Sequence, residues 1–221
     1  MKIINYIKYF YFLFINWNFK IACYMIQQEI KGENKYGITT TGADELMNLE
    51  KKGIDISHAT LYMPVSYLLL EEIFKQLPIL PRTHFIDIGC GKGRALCIAA
   101  YNGFSKVTGI DFSKPLCENT KENLKITKEK IPTLQYQVIN NDAFYFEIPD
   151  DADCIFFFNP FDEIIMSGVV KNIKASLQKA QRPVNIIYVN PLHKKYFLNA
   201  GFTETWYSKK LKYIEAVIFK N

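Results

Sequence analysis

From residue 84 to the end of the chain, short apolar runs alternate with longer segments that have helical spacing. This alternation favours a parallel sheet that is covered by helices on both faces. The predicted strands are HFIDIG, KVTGID, LQYQVIN, CIFFFN, VNIIYVN, FTETWYS and YIEAVIFK, and the predicted helices span residues 92–101, 115–128, 163–179 and 193–199. The last two strands are joined by the tight KKLK segment and predict a hairpin, which adds an antiparallel strand to the sheet.

Upstream of this region the pattern is helical and irregular. One apolar stripe recurs at helical spacing and consists of Ile3, Ile7, Phe10, Phe14, Trp17 and Ile21. Lys8 and Asn16 interrupt it well short of the roughly 20 apolar residues of a membrane span. We expect the stripe to pack on its own domain or on a second copy, near the open side of a bound ligand. The alternative is a helix on a membrane surface, because aromatic residues and Lys suit that interface.

A proline opens the next predicted helix. Pro64 suits the first turn of a helix that runs to about Leu77, with Val65, Leu68 and Ile73 on its buried side. We therefore divide the chain into an N-terminal helical extension over residues 1–60 and an α/β domain over residues 61–221.

Composition and charge narrow the class of protein. The 221 residues are 49% hydrophobic, enough for one domain with a sizeable core and an extension. The net charge of +5 comes almost wholly from Lys. Because specific contacts to bases and bidentate contacts to phosphates favour Arg, this composition argues against a nucleic-acid partner. The five scattered cysteines lack CxxC spacing, so we expect no metal site and interpret them as reduced, mostly buried thiols of a cytoplasmic protein.

The segment FIDIGCGKGR at the end of the first sheet strand is the main candidate for a ligand site. Gly89, Gly91 and Gly93 let the backbone approach a bulky ligand and direct N–H groups at it from a helix N-terminus. The alternative is a plain tight turn. In open parallel sheets, ligands bind beyond the carboxyl ends of the strands, which is where this turn is predicted to lie.

Two further acids follow the next two strands. Asp111 lies where a carboxylate accepts hydrogen bonds from both ribose hydroxyls of a bound nucleoside. In the segment NNDAF, Asp142 can accept from an adenine amino group while the Ala143 N–H donates to the ring. The alternative for Asp142 is a helix or turn cap.

This constellation closely resembles the class I S-adenosylmethionine-dependent methyltransferases over about residues 60–221. In that family DIGCGKGR is the glycine-rich first motif, Asp111 is the ribose-binding acid and NDA faces the adenine. The resemblance implies a doubly wound, Rossmann-like α/β fold whose seven-stranded, mostly parallel sheet ends in an antiparallel strand, with S-adenosyl-L-methionine as cofactor. It implies cofactor contacts from Asp87, Gly89, Cys90, Gly91, Gly93, Asp111, Phe112, Asp142, Ala143 and Asn159.

The segment FFFNPF at the end of the fourth strand is the candidate for substrate chemistry. The side chain or main-chain carbonyl of Asn159 can accept a hydrogen bond from an amine, Pro160 fixes the turn, and Phe161 offers an apolar or cation–π wall. The segment resembles the Asn/Asp-Pro-Pro-aromatic motif of amino-group methyltransferases without its second proline. Adenine, a glutamine amide, a lysine amine and a smaller acceptor therefore stay open, as does a plain strand-ending turn.

The segment LYMPVSY supplies two more candidate residues. It resembles the part of methyltransferases that closes over the methionine end of the cofactor, including tyrosine-proline versions in protein-lysine methyltransferases. Tyr62 and Tyr67 would then line the methyl-donor pocket, although packing alone also explains them.

Together these features predict a cytoplasmic methyltransferase that acts on a nitrogen nucleophile, with a protein side-chain amine as the leading acceptor. A nucleic-acid or small-molecule acceptor is the rival, and a non-catalytic nucleotide-binding Rossmann protein is the alternative from another class. Peripheral membrane contact through residues 1–26 stays open, and the sequence predicts no particular oligomeric state.

Overall fold

The computed structural model describes residues 2–42, 64–77, 83–158, 161–210 and 214–221. Its helices are α1 Lys2–Asn16, α2 Phe19–Tyr36, α3 Tyr67–Gln76, α4 Arg94–Tyr101, α5 Lys114–Lys130, α6 Glu163–Lys179 and α7 Lys195–Asn199. Its strands are β1 His84–Ile88, β2 Lys106–Asp111, β3 Gln135–Asn140, β4 Cys154–Phe158, β5 Asn185–Val189, β6 Thr203–Lys210 and β7 Ile214–Lys220. A 3₁₀ turn at Ala143–Tyr145 follows β3.

The strands form one seven-stranded sheet in the order β3-β2-β1-β4-β5-β7-β6. Strands β1 to β5 are parallel, and β7 lies antiparallel to both β5 and β6. The predicted fold, including the terminal hairpin, is confirmed. Because the chain adds β2 and β3 on one side of β1 and then crosses to β4 on the other, the strand order switches beside β1. A crevice for a ligand is expected at the carboxyl ends of β1 and β4.

Apolar side chains cover both faces of the sheet. Phe85 of β1 joins a cluster that includes α3 and α4, whereas its neighbours Ile86 and Ile88 join a second cluster with α6 and α7. This alternation follows from the two-residue repeat of a strand. It also explains why the strands read as continuous hydrophobic runs.

Three helices begin later than predicted: α7 begins at Lys195 and not at residue 193, and local caps set the starts of α3 and α4. Gly93 adopts a left-handed conformation with φ 78°, so α4 begins at Arg94 and not at residue 92. The Ser66 side chain accepts a hydrogen bond from the Leu69 N–H, so α3 begins at Tyr67 and leaves Pro64 outside. Leu68, predicted to be buried, is exposed.

The N-terminal region is a helical hairpin and not one continuous helix. The Asn18 side chain accepts a hydrogen bond from the Ile21 N–H at 3.0 Å and caps α2, which separates it from α1. The two helices pack through a small cluster of Tyr9, Leu13 and Ala22.

The prediction that the apolar stripe packs on its own domain is wrong. Phe10 is half-buried, but the other members are exposed, namely Ile3, Ile7, Phe14, Trp17 and Ile21. The reason is that α1 turns its Tyr9 and Leu13 side toward α2, and the stripe lies on the other side. Across the described ranges, none of the helices combines the length and apolarity needed to cross a membrane.

His84, at the start of β1, is a buried and fully bonded histidine. Its Nδ1 lies 2.8 Å from Asp151 Oδ1 and its Nε2 lies 2.8 Å from Thr108 Oγ1. Burial lowers the pKa of His84, and the hydrogen bond to Asp151 opposes this shift only in part. Burial alone would raise the pKa of Asp151. Hydrogen bonds from Lys106 and His84 have a larger combined effect and lower the pKa of Asp151 to about 2.

We expect the free energy of unfolding to fall as the pH is lowered from about 7 towards 6. Since the pKa of His84 is lower in the folded protein than its unfolded value of about 6.5, the unfolded chain binds more protons in this window. Denaturant unfolding at closely spaced pH values measures the slope. His84→Gln removes the titrating group and should flatten the slope; an equal slope in this variant would assign the effect to another group.

Candidate active site

The glycine-rich turn after β1 has a backbone that only glycine adopts readily. Gly89, Gly91 and Gly93 have φ values of 83°, 55° and 78°. The Gly89 and Cys90 N–H groups donate to the Ile110 carbonyl at 2.8 and 3.0 Å, which ties the turn to the end of β2. The turn therefore presents bare backbone at the carboxyl edge of the sheet.

Asp111 at the end of β2 is a buried carboxylate held by two backbone N–H groups. Gly91 donates to one of its oxygens and Ser113 donates to the other, each at 2.9 Å. Asn140, its partner in β3, donates from its side chain to the Asp111 carbonyl at 3.0 Å and to the Phe112 carbonyl at 2.7 Å. The ends of β2 and β3 and the glycine turn are thus locked together. A ribose diol requires such a fixed carboxylate, so Asp111 fits that role.

Asp87 and Cys90 lie buried beside this carboxylate. Burial raises the pKa of Asp87 well above its usual value, and the nearby Asp111 raises it further. A positively charged ligand would favour the ionised form of Asp87. The pKa of the Cys90 thiol is raised by burial, and its Sγ lies 3.9 Å from Thr120 Oγ1. The residues present therefore fit a cationic nucleoside ligand.

The third predicted motif forms the 3₁₀ turn that follows β3. Asp142 is exposed and accepts a hydrogen bond from the Phe144 N–H at 2.8 Å, so its side chain caps this turn. Ala143 is buried, and Phe112 beyond β2 is half-buried. A contact of Asp142 or Ala143 with adenine stays a prediction.

The end of β4 lies beside the glycine turn. Phe157 pairs with Ile88, the residue directly before Gly89. Phe161 is half-buried against the cluster that includes α6, and Asp162 caps α6. Three predicted site residues lie outside the described residues, namely Tyr62, Asn159 and Pro160.

One residue at this edge was missed by the sequence reasoning. Asn190 follows β5 in a left-handed conformation with φ 49°. Its N–H donates to the Glu215 carbonyl at 2.7 Å, and its side-chain oxygen accepts from the Glu215 N–H at 3.3 Å. A signal was present, because neighbouring strands β4 and β5 are both followed by Asn-Pro, at residues 159–160 and 190–191.

The comparisons with known proteins agree with this geometry. Residues 85–182, from β1 to beyond α6, match the family described as a methyltransferase domain. This domain and the fold support a class I S-adenosylmethionine-dependent methyltransferase. Its cofactor is S-adenosylmethionine, as predicted. None of the curated proteins compared matches the methyltransferase.

Solved structures resemble this methyltransferase in fold at low sequence identity. A SAM-dependent methyltransferase from Aquifex aeolicus is 15% identical with a TM-score of 0.52, over 68% of this chain and 88% of that chain. A ribosomal protein L11 methylase from Lactobacillus delbrueckii subsp. bulgaricus is 14% identical with a TM-score of 0.51, over 68% and 76%. The StiE O-MT is 12% identical with a TM-score of 0.54, over 70% and 73%.

Directly after the glycine turn, the methyltransferase contains a buried ion pair that the sequence did not predict. The Arg94 guanidinium donates to both carboxylate oxygens of Glu29 on α2, with Nη1 to Oε1 at 2.9 Å. It also donates to Thr40 Oγ1 at 2.8 Å and to the Val65 carbonyl at 2.7 Å. Its charged centre lies 4.0 Å from the centroid of the Tyr67 ring. One side chain thereby connects α4, α2 and the segment before α3.

A second buried acid, Glu33, holds the chain that follows α2. It accepts from the Thr40 and Thr41 N–H groups at 2.6 and 2.8 Å and from the Tyr6 hydroxyl at 2.5 Å. Lys92 of the glycine turn donates to the Thr41 carbonyl at 3.3 Å. The segment that follows α2 therefore lies against the cofactor turn. The available signal was a pair of acids one helical turn apart on a helix that otherwise buries apolar residues.

Tyr67 belongs to this network. Its ring stacks on Tyr36 at 5.8 Å, its hydroxyl lies 2.9 Å from Thr40 Oγ1, and burial raises its pKa. These contacts show that Tyr67 packs against Arg94, the residue that directly follows the glycine turn. Its place beside the methyl donor stays a prediction.

We expect Asp111→Ala to weaken binding of S-adenosylmethionine by roughly 1.5–3 kcal/mol, the scale of hydrogen bonds to a charged group. Calorimetry measures the change. Asp153→Ala is the matched control, because Asp153 also accepts from a backbone N–H, that of Thr83, at the opposite edge of the sheet. Undiminished binding by Asp111→Ala would remove this residue from the site.

We expect Arg94→Met to lower the free energy of unfolding by about 3–5 kcal/mol, because it leaves the Glu29 carboxylate buried without its cation. The double variant Arg94→Met/Glu29→Leu should regain most of this loss, since neither charge then stays buried. Urea unfolding of the single and double variants forms a double-mutant cycle. Additive effects would show that the two side chains do not depend on each other.

Proposed function

We propose that the methyltransferase transfers the methyl group to a nitrogen nucleophile, and that its acceptor is an amine of a protein side chain. The observation that carries this proposal is the Asn159–Pro160–Phe161 segment, which directly follows β4. Phe157 of β4 pairs with Ile88, the residue before Gly89, so β4 ends beside the glycine turn.

Bound S-adenosylmethionine supplies a methyl group that its sulfonium already activates. The glycine turn and Asp111 hold the nucleoside part, which fixes the direction in which the methyl group is presented. Asn159 acts on the acceptor, because a carboxamide or main-chain oxygen that accepts an amine N–H aims the nitrogen lone pair. The same oxygen stabilises the positive charge that develops on nitrogen. Phe161 supplies an apolar wall that excludes water.

The arginines support a protein acceptor over a nucleic acid. Of the three arginines, Arg94 is engaged with Glu29, and Arg82 lies outside the described residues. Arg182 donates to the carbonyls of Ala152, Pro149 and Ala180. Neither described arginine is therefore presented for phosphate or base contacts, which commonly use this residue.

The similar structures leave the acceptor atom open. They include a ribosomal protein L11 methylase and an O-MT at comparable TM-scores, so the fold is compatible with acceptors of different chemistry. The nitrogen assignment therefore depends on the Asn-Pro-Phe segment.

Tritiated S-adenosylmethionine incubated with the purified protein and cell lysate tests the acceptor class. We expect label in the protein fraction, and acid hydrolysis should release it as a methylated amino acid. Label in nucleic acid or small molecules would overturn the protein assignment, and label lost to mild base would indicate an ester on oxygen. Cofactor binding without any transfer would favour the non-catalytic alternative.

We expect Asn159→Ala to reduce turnover by about 100-fold or more while cofactor affinity stays within a few-fold, as loss of a positioning group does. Asn102→Ala is a matched control, because Asn102 lies just after α4 and its side chain donates to the Ile98 carbonyl of the same helix. Single-turnover rates and calorimetry separate the two effects. Near-normal turnover would make the segment a structural turn and remove the main support for an amine acceptor.

A further inference from the structure

One side of α1 is an uninterrupted apolar surface that is exposed to solvent. Its members are 44% to 77% exposed and comprise Ile3, Ile4, Ile7, Tyr11, Phe14 and Ile15. At 3.6 residues per turn they fall within an arc of about 120°. The opposite side of the helix, with Tyr9 and Leu13, packs on α2.

The exposed surface continues across the turn into α2. The Phe14 ring of α1 lies 6.4 Å from the ring of Phe19 in α2, and Phe19 is 61% exposed. Trp17 at the turn is also exposed. We call these eight residues, the six of α1 together with Trp17 and Phe19, the apolar face. Contiguous exposed surfaces of this kind mark sites of interaction.

The charged residues in the first 28 positions of the chain are all of one sign. Residues 1–28 contain Lys2, Lys8 and Lys20 and no acidic residue. Lys8 lies at the edge of the apolar arc by its helical position, and Lys20 directly follows Phe19. The first acids of the chain, Glu29 and Glu33, are buried in the network around Arg94. The hairpin therefore presents an apolar centre with a basic rim.

We propose that the apolar face lies on the surface of an anionic lipid bilayer, with α1 parallel to the membrane plane. The 15 residues of α1 extend about 22 Å, less than the roughly 30 Å of a hydrocarbon core. Aliphatic and aromatic side chains enter the headgroup boundary, and Trp and Tyr suit that depth. Lys8 and Lys20 then meet lipid phosphates, which is the charge complement that the rim requires.

A second copy of the chain fits the same face less well. A symmetric dimer would bring the face against itself and place Lys8 and Lys20 near their own counterparts. No acid in residues 1–28 is present to pair with them. The basic rim thus favours anionic lipid over self-association, whichever acceptor the enzyme methylates.

Sedimentation of the full chain with vesicles tests the proposal. We expect binding to vesicles of phosphatidylcholine with phosphatidylserine, weaker binding to phosphatidylcholine alone, and release by salt. Ile7→Ser/Phe14→Ser should weaken binding on the order of 100-fold, because both side chains lose their transfer from water. Tyr207→Ser is the matched control, since Tyr207 is an exposed aromatic residue on β6, far along the chain from α1 and α2, and this variant should bind normally.

A charge-reversal pair separates lipid binding from hydrophobic adhesion. Lys8→Glu/Lys20→Glu should lose affinity for the anionic vesicles by about tenfold or more, whereas Lys171→Glu/Lys174→Glu on α6 should not. Thermal melting without vesicles verifies that each variant is folded. Unchanged vesicle binding by Ile7→Ser/Phe14→Ser would overturn the proposal. So would a concentration-dependent dimer in sedimentation equilibrium that the same double variant abolishes, with no vesicle binding by the parent protein.

Discussion

The buried ion pair between Arg94 and Glu29 is the interaction on which the arrangement around the site depends. Removing two charges from water costs several kcal/mol per ion, and the contacts with Thr40 and the Val65 carbonyl help to compensate. Arg94 directly follows the glycine turn, whereas Glu29 belongs to α2. Because neither charge can be left unpaired, the N-terminal helices and the cofactor turn adopt one relative position. The hairpin is thereby part of the site's framework.

Much of the fold could be predicted because the sheet is buried on both faces. Its strands are continuous apolar runs, and the hairpin of β6 and β7 is marked by a tight polar connection. Helix starts were displaced by two or three residues because a single cap, such as Ser66, decides them. The N-terminal hairpin was not predictable from periodicity. A repeat identifies an apolar side of a helix, but it does not say which side a second helix will cover, and α1 is apolar on both.

The candidate site was predictable to the extent that its signals are local. Gly89 and Asp111 lie in short motifs whose backbone demands are visible in the sequence. The pair of Arg94 and Glu29 joins residues that are 65 positions apart, so no neighbouring sequence announces it. Asn190 shows a third case, since its left-handed conformation depends on Glu215 of β7. Contacts of this kind exist only after the sheet has assembled.

The rigid attachment of α2 has a consequence for geometry at a larger scale. Phe19 begins the helix and Glu29 lies ten residues further along, a rise of about 15 Å. Because Glu29 binds Arg94, which directly follows the glycine turn, α2 acts as a spacer of fixed length between the α1–α2 turn and the glycine turn. A surface that binds the α1–α2 turn therefore also determines how far the glycine turn lies from that surface and in which orientation. The distance from that surface to the carboxyl edge of the sheet is then fixed by the length of one helix.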